Sequence, residues 1–134
     1  MTGHQDALIY TMVLLSAADG DMTDSELHLM TEIVRHLPVF RGFDINRLPE
    51  VAQACAEMLG KEDGLDTAID MISNALTPSL CETAYALACD VAAADGSVGQ
   101  EETRLLELLR HGLNVGRLPA AAIERGARAR FTTA

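Results

Sequence analysis

No stretch of the chain alternates apolar and polar residues with a period of two over a useful length, whereas apolar residues recur three and four positions apart throughout. The pattern predicts an all-α protein. A first helix over residues 5–18 carries Leu8, Met12 and Leu15 and is apolar on every side, as a helix at the centre of a bundle must be. A second, over 24–37, turns Leu27, Met30, Ile33, Val34 and Leu37 to the core and Glu32, Arg35 and His36 to water. The stretch "PVFRGFDINRLP" follows, the longest connection, whose Phe40 and Phe43 are expected to plug the end of a bundle rather than wait exposed for a partner. A third helix, 50–59, aligns Val51, Ala54, Cys55 and Met58 and is broken by "GKEDG". A fourth, 65–76, aligns Leu65, Ala68, Ile69, Ile72 and Leu76. Thr77 and Pro78 then supply an N-cap and a first-turn proline for a fifth helix running to about 94. This helix is again apolar nearly all round, through Leu80, Ala84, Leu87, Ala88, Val91 and Ala92. The sixth, 100–113, presents Leu105, Leu106, Leu109 and Leu113, and a seventh beginning near Pro119 carries Ile123 and Ala127. The expectation is one domain over residues 1–134, a bundle of about seven helices.

The fifth and sixth helices repeat the first and second. "AADGDMTDSE" at 17–26 and "AADGSVGQEE" at 93–102 are offset by 76 residues, and at the same offset Glu26 matches Glu102 and Leu29 matches Leu105. An internal repeat of about 7–37 and 83–113 is the reading, two helix-turn-helix halves packed about a pseudo-dyad.

Backbone physics accounts for much of each turn. Gly20 and Gly96 are placed as left-handed C′ residues ending the buried helices. Thr23-x-x-Glu26 has the form of a capping box, worth roughly 1 kcal/mol. In the second copy Gly99 replaces the threonine, which weakens the box unless Ser97 with Gln100 takes over. Asp19 and Asp95 do not fit this scheme, because the end of a helix disfavours a carboxylate. An independent EF-hand fails on register: with Gly20 at loop position 6, positions 1 and 3 are Leu15 and Ala17, and in the second copy Val91 and Ala93, none of which offers a side-chain oxygen. Two half-sites brought together would instead present Asp19, Asp21, Glu26, Asp95 and Glu102 to one space, a set of hard donors suited to Ca²⁺ or Mg²⁺. Capping alone, with no metal, is the competing explanation.

Composition narrows the partners. The net charge is −10, which argues against nucleic acid, since phosphate binding depends on Lys and Arg. The charge is uneven: residues 1–99 hold 16 acids against 4 bases (−12), and 100–134 hold 4 acids against 6 arginines (+2). The basic feature around Arg117, Arg125, Arg128 and Arg130 reads as a solvated helix face, with a docking patch for an acidic partner or lipid as the alternative. Cys55, Cys81 and Cys89 show no CxxC pairing and read as core thiols; His4, His28, His36 and His111 read as surface residues, without zinc-module spacing. No apolar run is long enough to cross a bilayer and "MTGHQDALIY" lacks the features of a signal peptide, so a soluble, cytoplasmic protein without membrane insertion is expected. No nucleophile and base stand at a recognised spacing, and no phosphate-cradling loop is present, so an enzyme is not expected.

"AADGDMTDSELHLM" and "VAAADGSVGQEETRLLELL", each after a buried helix and joined by a helical middle, resemble the tellurite-resistance TerB-like family over nearly the whole chain. The resemblance implies an all-α domain of two related halves and a metal site at Asp19, Asp21, Glu26, Asp95 and Glu102. It implies a non-enzymatic role in resistance to tellurite and related stresses, with protein partners that are membrane-associated in some systems. Ser97 opposite Asp21, and Gly99 opposite Thr23, depart from a fully acidic repeat. The alternative is a purely structural helical adaptor with no metal site.

Overall fold

Ten consecutive residues, Ala7 to Ser16, are buried in the first helix, α1 (His4–Ser16), because every face of it is covered by another helix. The computed structural model that shows this describes residues 3–18, 22–94 and 98–134. Among them are α2 (Asp24–His36), α3 (Leu48–Leu59), α4 (Gly64–Ala75), α5 (Pro78–Ala93), α6 (Gln100–Gly112) and α7 (Arg117–Arg130). Two 3-10 turns, Pro38–Phe40 and Ile45–Arg47, precede α3, and no strand is present among the described residues. The all-α expectation holds.

The core is organised around α1 lying against α5, the most extensive helix pair. α3 and α4 cover α1, α7 covers α5, and α2 and α6 each touch both central helices. Each fully buried Leu, Ile or Met in this arrangement contributes about 1.5–3 kcal/mol of transfer free energy. All three cysteines are free and buried, as expected of core thiols; burial pushes Cys55 and Cys89 each up to about 12, with the Glu124 charge a further cause for Cys89. Cys55 donates to the Tyr10 carbonyl at 3.7 Å, and the four histidines are exposed.

Local chemistry sets the element boundaries. Thr77 caps α5, its Oγ1 accepting from the Leu80 N–H at 3.3 Å, with Pro78 at the first helical position as the sequence indicates. α4 starts against the end of α3 so closely that a methyl group on Gly64 would lie 2.1 Å from the Met58 carbonyl oxygen; Asp63 before it is left-handed, φ 58°. The connection after α2 is pinned to the start of α1. Gln5 Nε2 donates to the Val39 and Arg41 carbonyls, each at 3.2 Å, and Arg47 pairs with Asp6 at 3.3 Å. Phe40 is buried, Phe43 meets it edge-on at 6.1 Å, and the Arg47 guanidinium lies 5.4 Å from the Phe43 ring centre. The pair plugs the bundle end.

Several inward assignments need correction. Leu27 is exposed, and the buried stripe of α2 runs instead through Glu26, Met30, Ile33 and Val34. Met22 and Leu27 occupy the N′ and N4 positions, those of a hydrophobic staple across a helix start, which explains an apolar residue off the core face. Leu37 is 36% exposed while Leu113, at the same offset, is 3% exposed. Leu37 precedes Pro38 and is extended (ψ 139°), so it leaves the helical stripe. Leu113 stays helical and enters a Schellman turn in which Val115 N–H reaches the Arg110 carbonyl at 3.0 Å over left-handed Asn114. Ala54 is also exposed, the buried face of α3 being Leu48, Val51 and Cys55. Finally, α1 stops at Ser16 rather than 18. Ala18 N–H bonds the Leu15 carbonyl at 3.3 Å, tightening the end to an i→i−3 pattern, while the glycine turns expected at Gly20 and Gly96 lie outside the described residues.

Candidate functional site

The residues proposed from sequence divide in two. Asp19, Asp21 and Asp95, with Gly20, Gly96 and Ser97, lie outside the described residues. Glu26 and Glu102 lie inside them, each at the third position of its helix and each buried, at 2% and 8% exposure.

Burial of a glutamate needs a polar partner, and the helix start provides one. Thr23 N–H donates to Glu26 Oε1 at 2.8 Å, while Glu26 N–H donates to Thr23 Oγ1 at 3.1 Å. This is the complete box read from Thr23-x-x-Glu26. At α6 the Gly99 N–H donates to Glu102 Oε1 at 3.3 Å, but glycine has no hydroxyl to return the bond, so only half of the box exists. The two cap residues share one backbone geometry, φ −79° and ψ 162° for Thr23 against φ −74° and ψ 173° for Gly99. Both carboxylates also stand in the first helical turn, where the macrodipole favours negative charge.

One residue was missed from sequence. Ser16, the last residue of α1, is fully buried, and its Oγ has no hydrogen-bond partner among the described residues. Thr11, equally buried in the same helix, donates to the Ala7 carbonyl at 2.9 Å, the usual way for a helical hydroxyl to satisfy itself. An orphaned buried hydroxyl costs about 1–3 kcal/mol. Ser16 stands three residues before Asp19 in the sequence; the signal was a serine ending an otherwise apolar run.

α2 and α6, which carry the two glutamates, pack on the same central pair, α1 and α5. Glu26, Glu102 and Ser16 offer oxygen only, the donor type of Ca²⁺ and Mg²⁺ rather than of soft metals. Among the described residues alone, no three His, Cys, Asp or Glu side chains form a metal-sized group. The buried thiols offer little nucleophilicity, since burial also raises Cys81. No helix among the described residues is long and apolar enough to cross a membrane.

Two buried central helices, surrounded by further helices of which α2 and α6 each carry a buried first-turn glutamate, define a small all-helical bundle among the described residues. The chain belongs to the TerB family: the family model for tellurite resistance protein TerB matches residues 5–125, about nine-tenths of the sequence. No curated protein and no solved structure matches.

Proposed function

We propose that this TerB-family domain works without catalysis, holding a hard divalent cation, Ca²⁺ or Mg²⁺, at its acidic turns and presenting them to a protein partner in resistance to tellurite and related stress. The observation that carries the reading is the pair of buried glutamates, Glu26 and Glu102, each at the third position of its helix, together with the buried hydroxyl of Ser16 at the end of α1, which has no hydrogen-bond partner among the described residues. Asp19, Asp21 and Asp95 supply the remaining carboxylates. Ser16 Oγ, as a neutral oxygen, or a water held by it, completes the donor set. Free buried thiols fit a reducing compartment, so we place the protein in the cytoplasm. The acidic net charge favours a protein partner, membrane-associated in some settings, over nucleic acid.

The second reading is a structural adaptor whose turns only cap helices, and the complete box at Thr23 and Glu26 favours it. Calorimetric titration of metal-free protein with Ca²⁺, Mg²⁺ and Zn²⁺ separates the two. Heat with Ca²⁺ or Mg²⁺ that is lost in Asp19→Asn and in Asp95→Asn supports the cation site. Absence of heat and of any stability change in the wild type leaves the adaptor.

A further inference from the structure

α6 and α7 both pack on α5 but make no extensive contact with each other, and an open groove of about 1010 Å³ lies between them. Its floor is one stripe of α5, Tyr85, Cys89 and Ala93, spaced i, i+4, i+8. One wall is Thr103, Leu106, Glu107 and Arg110 of α6; the other is Ala121, Glu124, Arg125 and Arg128 of α7. Each wall follows i, i+3, i+4, i+7, one helix face about 10 Å long at 1.5 Å per residue. Three helical faces around an unfilled trough are the setting in which a further helix is seated by ridge-and-groove packing.

Charge selects the occupant. Three guanidiniums line the groove against two carboxylates, and one of these, Glu124, accepts a 2.6 Å hydrogen bond from the Tyr85 hydroxyl. Arg125 and Arg128 are exposed and their guanidiniums make no hydrogen bond or ion pair among the described residues, whereas the Arg130 guanidinium beyond them is paired with Asp90. Both walls of the groove thus come from the basic last quarter of a chain whose first 99 residues carry −12. A bilayer is a poorer fit, because the site is concave and the whole chain, at −10, is repelled by anionic lipid.

We propose that the trough between α6 and α7 is a docking site for an amphipathic helix of a partner protein, apolar toward Leu106 and the α5 floor and acidic toward Arg110, Arg125 and Arg128. The proposal does not depend on a bound cation. A displayed library of helical peptides of about four turns, with leucine fixed along one face and Glu, Gln or Lys free beside it, tests it on the intact chain. The expected outcome is selection of Glu-flanked peptides whose affinity falls at least about tenfold in Ala121→Trp, which fills the trough from an exposed position. The same loss is expected in Arg125→Glu with Arg128→Glu, a double variant that moves selection toward Lys. Thermal melting of both variants checks that they fold. The proposal is overturned if no peptide is selected, if Lys-flanked peptides win on the wild type, or if neither variant weakens binding. Phosphatidylglycerol vesicles binding in place of peptides, or a wild-type dimer that Ala121→Trp dissociates, would also overturn it, assigning the trough to a membrane or to a second copy.

Discussion

The starts of α2 and α6 pose one problem and solve it to different degrees. Both follow an Ala-Ala-Asp-Gly stretch in the sequence, both place a buried glutamate at the third helical position, and both use an extended cap residue. At α2 the threonine hydroxyl and the glutamate satisfy each other's amides, at 3.1 and 2.8 Å. At α6 the returning hydroxyl is missing and the remaining bond is longer, 3.3 Å. The shared element, the glutamate, is the one that both capping and cation binding require. The threonine hydroxyl completes the box at α2, and Gly99 at the start of α6 has none. Their surroundings differ too: α1 is covered by α3 and α4, whereas α5 is covered by α7 and leaves the trough beside α6 open.

The largest effects are expected at the glutamates. Glu26→Ala, which removes a 2%-exposed side chain and its cap bond, should cost about 2–3 kcal/mol in urea unfolding, and Glu102→Ala about 1–2 kcal/mol. Equal costs would mean that the missing hydroxyl does not weaken the second start. Thr23→Ala should cost about 1 kcal/mol, and the same measurement on a Glu26→Ala background should show most of that cost gone, as expected of two groups sharing one box. Ser16→Ala should leave metal-free stability unchanged or raise it by up to about 1 kcal/mol, because it deletes an unpartnered hydroxyl. A loss of stability would show that Ser16 has a partner at the turn. The smallest expected effect is a gain of a few tenths of a kcal/mol for Gly99→Thr, which restores the box. The backbone there accepts a side chain, and a methyl group would approach nothing closer than 3.7 Å.

Much of this was legible in the sequence, and the misses have identifiable causes. The spacing of apolar residues revealed seven helices, Thr77-Pro78 marked the start of α5, and Thr23-x-x-Glu26 marked that of α2. Leu37 was misplaced because the proline after it pulls the backbone out of the helix before the side chain can join the core face. Leu27 was misplaced because an apolar residue one turn into a helix can staple the start instead of facing inward. That Glu26 and Glu102 are buried could not be read from periodicity, since glutamate is normally a surface residue. The trough was not legible at all, because it arises from α6 and α7 settling on α5 without extensive contact with each other.

Glu26→Gln tests the central claim most directly, since the amide oxygen of glutamine can still cap α2 while the negative charge that a cation needs is gone. Melting of metal-free wild type and variant should agree within about 2 °C. Ca²⁺ or Mg²⁺ at about a hundredfold over its Kd should then stabilise the wild type by about 2.7 kcal/mol, roughly 8 °C, and the variant at the same concentration by less than about a third of that. A wild type unmoved by either cation, or a Glu26→Gln variant that rises as far as the wild type, would contradict a cation site built on the buried glutamates.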